Sequence, residues 1–90
     1  MTGAGFRVRG KVQGVGFRWW TRSLAARLGL SGTVANEPDG SVTVHVRGPE
    51  EKVREMEARL AEGPPHARVD HVASLPFSAD VADGEFRVLH

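Results

Sequence analysis

A glycine-rich turn that ends in an arginine is the segment of this 90-residue chain whose residue types suggest chemistry. It runs from Gly10 to Arg18 and reads GKVQGVGFR. We expect the turn to lead into a helix, whose first backbone N–H groups have no acceptor and whose dipole adds partial positive charge. Such a turn can bind an anion, most often phosphate, and the Arg18 guanidinium has the geometry to donate to two phosphate oxygens.

Taken alone, this turn is a weak signal, because glycines also allow a strand and a helix to pack closely. It lacks the Gly-Lys-Ser/Thr ending of nucleotide-binding phosphate loops and the GxGxxG dinucleotide fingerprint. The absence of cysteine excludes disulfides, thiolate metal sites and a cysteine nucleophile. The histidines show no metal-ligand spacing; they are His45, His66, His71 and His90. We therefore expect neither a metal nor a cofactor.

Hydrophobic periodicity predicts the elements on either side of the turn. Residues 6–12 alternate between apolar and mostly basic types, as in a half-buried strand, and residues 17–28 carry an apolar stripe at helical spacing. Gly29 has the position of a residue that ends this helix. Trp20 belongs to the stripe and is expected in the core, whereas Trp19 points elsewhere and is a candidate for the rim of the anion site.

The rest of the chain predicts a hairpin, a second helix and two further strands. Residues 32–36 and 42–47 alternate around a Pro-Asp-Gly turn. The second helix opens near Pro49 with acids in its first turn and ends at Gly63. Strands are expected at 67–72 and 85–89, with a loop over 77–83. This order predicts one α+β domain over 1–90, a ferredoxin-like βαββαβ sandwich with two helices on one face of an antiparallel or mixed sheet.

The charge balance argues against several classes of partner. Twelve Lys and Arg against eleven Asp and Glu leave a formal charge of +1, which gives no general attraction to nucleic acid or anionic membranes. The positions expected to be exposed on the longest strand hold no aromatic residues on which bases could stack; they are Thr43, His45 and Arg47. The chain shows no membrane span or signal peptide, so we expect a cytoplasmic monomer.

Two ordered motifs resemble the signature of the acylphosphatase family. The first is Gly10-x-Val12-Gln13-Gly14-Val15-x-Phe17-Arg18, and the second is Gly32-x-Val34-x-Asn36-x-x-Asp39-Gly40-x-Val42. The resemblance covers essentially the whole chain. One departure is the ending Leu89-His90, where the family often has an aromatic or basic residue.

The resemblance implies hydrolysis of acyl phosphates to a carboxylate and inorganic phosphate. It implies that Arg18 and the loop amides hold the phosphate and that Asn36 positions the attacking water; the loop residues are Gly14, Val15, Gly16, Phe17 and Arg18. The partner is then a small acyl phosphate, and inorganic phosphate is a product and weak inhibitor. Because a carboxylate leaves readily, this chemistry needs little beyond positioning and charge stabilisation.

Asparagine is neutral and is not a strong base, so we hypothesise that the substrate itself accepts the proton of the water. The alternative is a non-catalytic module on the same fold that binds an anion or small ligand for regulation. Such a module has no reason to require Asn36 together with Arg18, so substitutions at these two residues separate the two functions.

Overall fold

The computed structural model describes residues 1–90 and contains two helices and a five-stranded sheet. The elements in chain order are β1 Thr2–Lys11, α1 Phe17–Leu28, β2 Ser31–Asn36, β3 Val42–Gly48, α2 Glu50–Glu62, β4 Arg68–Leu75 and β5 Phe86–Leu89. Neither helix is long and apolar enough to cross a membrane.

The strands lie in the order β4-β1-β3-β2-β5. β1 pairs antiparallel with both β3 and β4, and β2 pairs antiparallel with β3. The sheet is mixed because β5 pairs parallel with β2. β1 and β2 therefore run parallel on either side of β3, with α1 connecting them, which confirms the predicted ferredoxin-like arrangement.

The hydrophobic core lies between the sheet and the two helices. Alternate residues of β3 point into it, and Val42, Val44 and Val46 are completely buried. The helices cover this face with residues spaced three or four apart, including Leu24 of α1 and Met56 of α2. The apolar stripes found in the sequence thus place both helices on one face of the sheet.

The opposite face of the sheet is partly covered by the segment between β4 and β5. The ring of Phe77 packs edge-on against His45, and the Arg47 guanidinium forms an ion pair of 2.9 Å with Asp83. Thr43, expected to be exposed, is buried, while His45 and Arg47 are half-buried. Burial lowers the pKa of His45, whose Nδ1 accepts the Ser78 N–H at 3.1 Å. Because this face is partly covered, it does not offer the open platform that RNA-binding sheets use.

The first helix has the predicted bounds, and several strands differ from prediction at their ends. β1 begins at Thr2 rather than Phe6, and β4 continues to Leu75 rather than ending at Val72. The extension of β1 pairs with β3, where Thr2 lies opposite Gly48, and it meets the extension of β4 where Gly5 lies opposite Leu75. Their strand conformation comes from this pairing rather than from local preference, because glycine and alanine are poor strand formers.

Candidate active site

The turn between β1 and α1 presents a series of free backbone N–H groups. Gly14 and Gly16 have φ of 74° and 79°, the left-handed region that favours glycine. The first backbone bond of the helix runs from the Trp20 N–H to the Gly16 carbonyl at 3.0 Å, and the N–H groups from Gly14 to Trp19 have no protein acceptor. No acidic residue lies in the first turn of α1. This arrangement is suited to binding an anion.

A shallow depression of about 170 Å³ lies at this helix end. Its lining residues are Val12, Gly14, Gly16, Phe17, Arg18, Trp19 and Asn36. The depression therefore brings together Arg18 and Asn36, which are 18 positions apart in the sequence. Among the predicted loop residues, Val15 does not line it, because its half-buried side chain packs against the core.

Arg18 is held by the last strand and forms no ion pair with a carboxylate. Its Nη1 donates to the Leu89 carbonyl at 3.1 Å, and the Nδ1 atom of His90 lies 3.3 Å from the same nitrogen. The side chain is half-buried. A guanidinium has five N–H donors, so this tether fixes its position and leaves donors free for a ligand.

Asn36 is the last residue of β2 and pairs with Val42 across the hairpin. It is exposed, and its side-chain amide has no hydrogen-bond partner in the chain. The backbone of the residue is therefore fixed by the sheet, while its amide remains available to a ligand or a water molecule.

Gln13 connects the glycine turn to the hairpin that carries Asn36. A single nitrogen, Nε2, donates to the Glu37 carbonyl at 2.8 Å and to the Ser41 carbonyl at 2.9 Å. These bonds set the distance between the glycine turn and the end of β2. The family-like motif contains Gln13, but a motif does not show which atoms a residue contacts.

The acidic residues beside Asn36 are engaged within the hairpin. Asp39 Oδ1 accepts from the Ser41 hydroxyl at 2.6 Å and from the Ser41 N–H at 3.0 Å, and Arg9 lies 3.1 Å from Oδ2. These hydrogen bonds, with a smaller contribution from Arg9, lower the pKa of Asp39 to about 2. Glu37 accepts from the Thr43 hydroxyl at 2.7 Å. Both side chains thus hold the turn in shape, as the Pro-Asp-Gly pattern indicates for Asp39 but as no sequence pattern indicated for Glu37.

The two adjacent tryptophans have different environments. Trp20 is half-buried and packs edge-on against Phe17 at 5.3 Å between ring centroids, which confirms its place against the core. Trp19 is exposed and lines the depression, as predicted for a rim residue. No group of three or more His, Asp or Glu side chains is close enough to hold a metal ion.

Comparison with known proteins identifies one protein family over nearly the whole chain. The acylphosphatase family model matches residues 4–88. A curated acylphosphatase of Mesorhizobium japonicum is 49% identical over 92% of this chain and 88% of its own length. One from Rhizobium meliloti is 50% identical over 91% of this chain and 86% of its own length.

Solved structures support the same assignment. An acylphosphatase from Bacillus subtilis superposes with a TM-score of 0.90 at 28% identity, covering 100% of both chains. One from Coxiella burnetii superposes with a TM-score of 0.88 at 35% identity, covering 98% of this chain and 92% of that one. With the full-length family match, these similarities show that the chain is an enzyme of the acylphosphatase family.

Proposed function

We propose that the chain hydrolyses acyl phosphates to a carboxylate and inorganic phosphate in the depression at the start of α1. The observation that carries this proposal is that three kinds of group with hydrogen-bonding capacity left for a ligand line one small depression. The first are the N–H groups of the glycine turn, which have no acceptor in the chain. The others are the guanidinium of Arg18, which forms no ion pair with a carboxylate, and the side-chain amide of Asn36, which has no hydrogen-bond partner.

Phosphate binding is the task of the turn and Arg18. The N–H groups of Gly14 to Arg18 donate to the phosphate oxygens, and the left-handed glycines allow several of them to converge. The guanidinium of Arg18 adds a fixed positive charge where negative charge increases in the transition state. Its bond to the Leu89 carbonyl keeps it in place before the substrate arrives.

Asn36 orients the water that attacks phosphorus. Its side-chain oxygen accepts one water hydrogen, which directs the water lone pair toward the phosphorus opposite the acyl oxygen. The new bond joins the water oxygen to phosphorus. The bond from phosphorus to the acyl oxygen breaks, and its electron pair leaves with the carboxylate. One proton of the water stays on the attacking oxygen, and the other passes to a phosphate oxygen of the substrate, so the products are the carboxylate and inorganic phosphate.

The leaving group explains why the site needs no acid. Carboxylic acids have a pKa of about 4, so the departing carboxylate is stable at neutral pH without taking up a proton. The two carboxylates that follow Asn36 in the hairpin, those of Glu37 and Asp39, are already bonded within it. The mechanism leaves them in that structural role.

The test follows benzoyl phosphate hydrolysis by absorbance in the presence of EDTA. We expect turnover by the parent protein and loss of both turnover and phosphate inhibition in Arg18→Ala. Arg18→Lys should recover only part, because an ammonium cannot replace the planar fork. Arg27→Ala is the matched control, since Arg27 is exposed in the last turn of the same helix.

Two results would contradict the proposal. Undiminished hydrolysis by Arg18→Ala would remove Arg18 from the site, and loss of parental turnover in EDTA would show that a metal is required. A parent protein that binds inorganic phosphate through Arg18 but hydrolyses no acyl phosphate would instead be the anion-binding module.

A further inference from the structure

Trp19 is a large apolar side chain that the fold leaves in solvent. The residue is 56% exposed, and the other large apolar residues with high exposure are Met1 and Leu89. Burying an indole is strongly favourable, so an exposed one beside a ligand site suggests a contact that the free protein does not make.

The core does not account for Trp19. The neighbouring Trp20 packs against Phe17 and the core, whereas Trp19 directly follows Arg18 and lines the depression with it. Trp19 therefore lines the depression together with Arg18 and Asn36, while more than half of the residue's surface stays exposed to solvent.

Arg22 holds the indole from one side. The centre of its guanidinium lies 5.9 Å from the centroid of the Trp19 ring, within the range of a cation–π contact. Arg22 is one helical turn after Trp19, so both are fixed by the same backbone. A guanidinium against one ring face leaves the other face for a flat apolar group.

We propose that Trp19 is the contact for the acyl group and that it favours acyl phosphates with flat apolar, above all aromatic, acyl groups. The inference rests on the proposed function, because the phosphate in the turn fixes the direction of the rest of the substrate. When the phosphate of the substrate is bound by the backbone amides and Arg18, the acyl group of the substrate has to project out of the depression across the rim. Trp19 is the exposed aromatic ring on that rim.

The test compares kcat/KM for benzoyl and acetyl phosphate in Trp19→Ala, Trp19→Phe and the parent protein. Each variant is scored by its change relative to the parent on the same substrate, which cancels the different intrinsic reactivities. We expect Trp19→Ala to lose roughly tenfold on benzoyl phosphate, the scale of one lost aromatic contact, and little on acetyl phosphate. Trp19→Phe should retain most of the preference, and inhibition by inorganic phosphate should be unchanged in both.

Trp20→Phe is the matched control, because it changes the adjacent tryptophan without touching the depression. The ratio of kcat/KM for benzoyl phosphate to kcat/KM for acetyl phosphate should be the same in Trp20→Phe as in the parent. Equal losses on both substrates in Trp19→Ala would overturn the assignment of Trp19.

A fluorescence titration separates this inference from the proposed function. In Trp20→Phe the emission comes from Trp19 alone, and the probes are benzylphosphonate and methylphosphonate. A change with benzylphosphonate that methylphosphonate does not produce supports the acyl contact, even in a protein that hydrolyses nothing. Equal responses to both probes, or no response, would overturn it.

Discussion

The two helices of this protein begin in opposite ways. α1 begins after Gly16, has no acid in its first turn, and leaves its first N–H groups without acceptors. α2 begins after Pro49 and carries Glu50 and Glu51 in its first turn. Its Pro49 carbonyl accepts two N–H groups at 3.0 Å, whereas the Gly16 carbonyl of α1 accepts one. Both helices have a similar length and amphipathic character, so the difference lies in how each N-terminus is compensated.

This comparison separates a structural helix end from one kept for a ligand. In α2 the chain's own carboxylates meet the positive end of the helix dipole, which stabilises the helix. In α1 the first turn carries Arg18 instead, which adds positive charge to an end that is already positive. No negative charge of the chain balances the positive charge of this helix end, so a bound anion would do so, and this supports the proposed phosphate site.

The largest effect should come from giving α1 the charge pattern of α2. Arg18→Glu removes the guanidinium and places a competing carboxylate at the amides. We expect kcat/KM for benzoyl phosphate to fall by about a thousandfold or more, the scale of losing a transition-state arginine, and phosphate inhibition to disappear. The reverse exchange, Glu51→Arg in α2, should leave turnover unchanged. Comparable losses in both variants would show that the two helix ends do not differ in function.

Asn36→Ala tests whether the anion site and the water site are separable. We expect kcat to fall by roughly a hundredfold, as for one oriented hydrogen-bonding group, while the inhibition constant for phosphate stays near that of the parent. Ser74→Ala, at an exposed position of β4, is the control. Near-normal kcat in Asn36→Ala would exclude the water-positioning role.

Gln13→Ala should have a smaller effect, because it loosens the link between the two halves of the site. We expect kcat to fall by at most about thirtyfold, the equivalent of two hydrogen bonds of about 1 kcal/mol each, with phosphate inhibition largely retained. The control is Thr43→Val, which removes the bond to Glu37 within the hairpin but keeps the link to the turn. If Thr43→Val lowers kcat as much as Gln13→Ala does, general loosening of the hairpin is responsible.

The smallest effect should appear in α2 and should concern stability alone. Glu51→Gln removes one dipole-compensating charge, which costs about 0.5 kcal/mol in the free energy of unfolding measured with urea. Glu51 is preferable to Glu50, which also pairs with Arg54 at 3.0 Å. Turnover should not change, and Glu57→Gln in the middle of the helix should show less destabilisation. A loss of turnover in Glu51→Gln would mean that α2 takes part in the site.

Local patterns were sufficient to predict α1 and the glycine turn before it. The apolar stripe and Gly29 define the helix, and the glycines before Arg18 define the turn within a few residues. The start of β1 was not predictable in this way, because small residues there are required by a distant segment. A Cβ at Gly3 would lie 2.9 Å from Cγ of Phe77, which is far away in sequence.

The contacts that complete the site depend on the same long-range geometry. Gln13 reaches carbonyls 24 and 28 positions away, and Arg18 donates to a carbonyl 71 positions away. These distances close only when β2 pairs with both β3 and β5 in the observed register. Residue types and motif spacing identify the participants, but the sheet decides which backbone atoms they meet.

The small size of the depression has a consequence for the kinetics of the reaction. A volume of about 170 Å³ is well below the roughly 300–1,000 Å³ of pockets that enclose a drug-sized ligand. Under the proposed function it surrounds little more than the phosphate, and the carboxylate is already at the protein surface when its bond breaks. Departure of that product then requires no opening of a lid, a motion that limits turnover in many enzymes. An acyl phosphate attached to a large molecule meets the same depression as a free one.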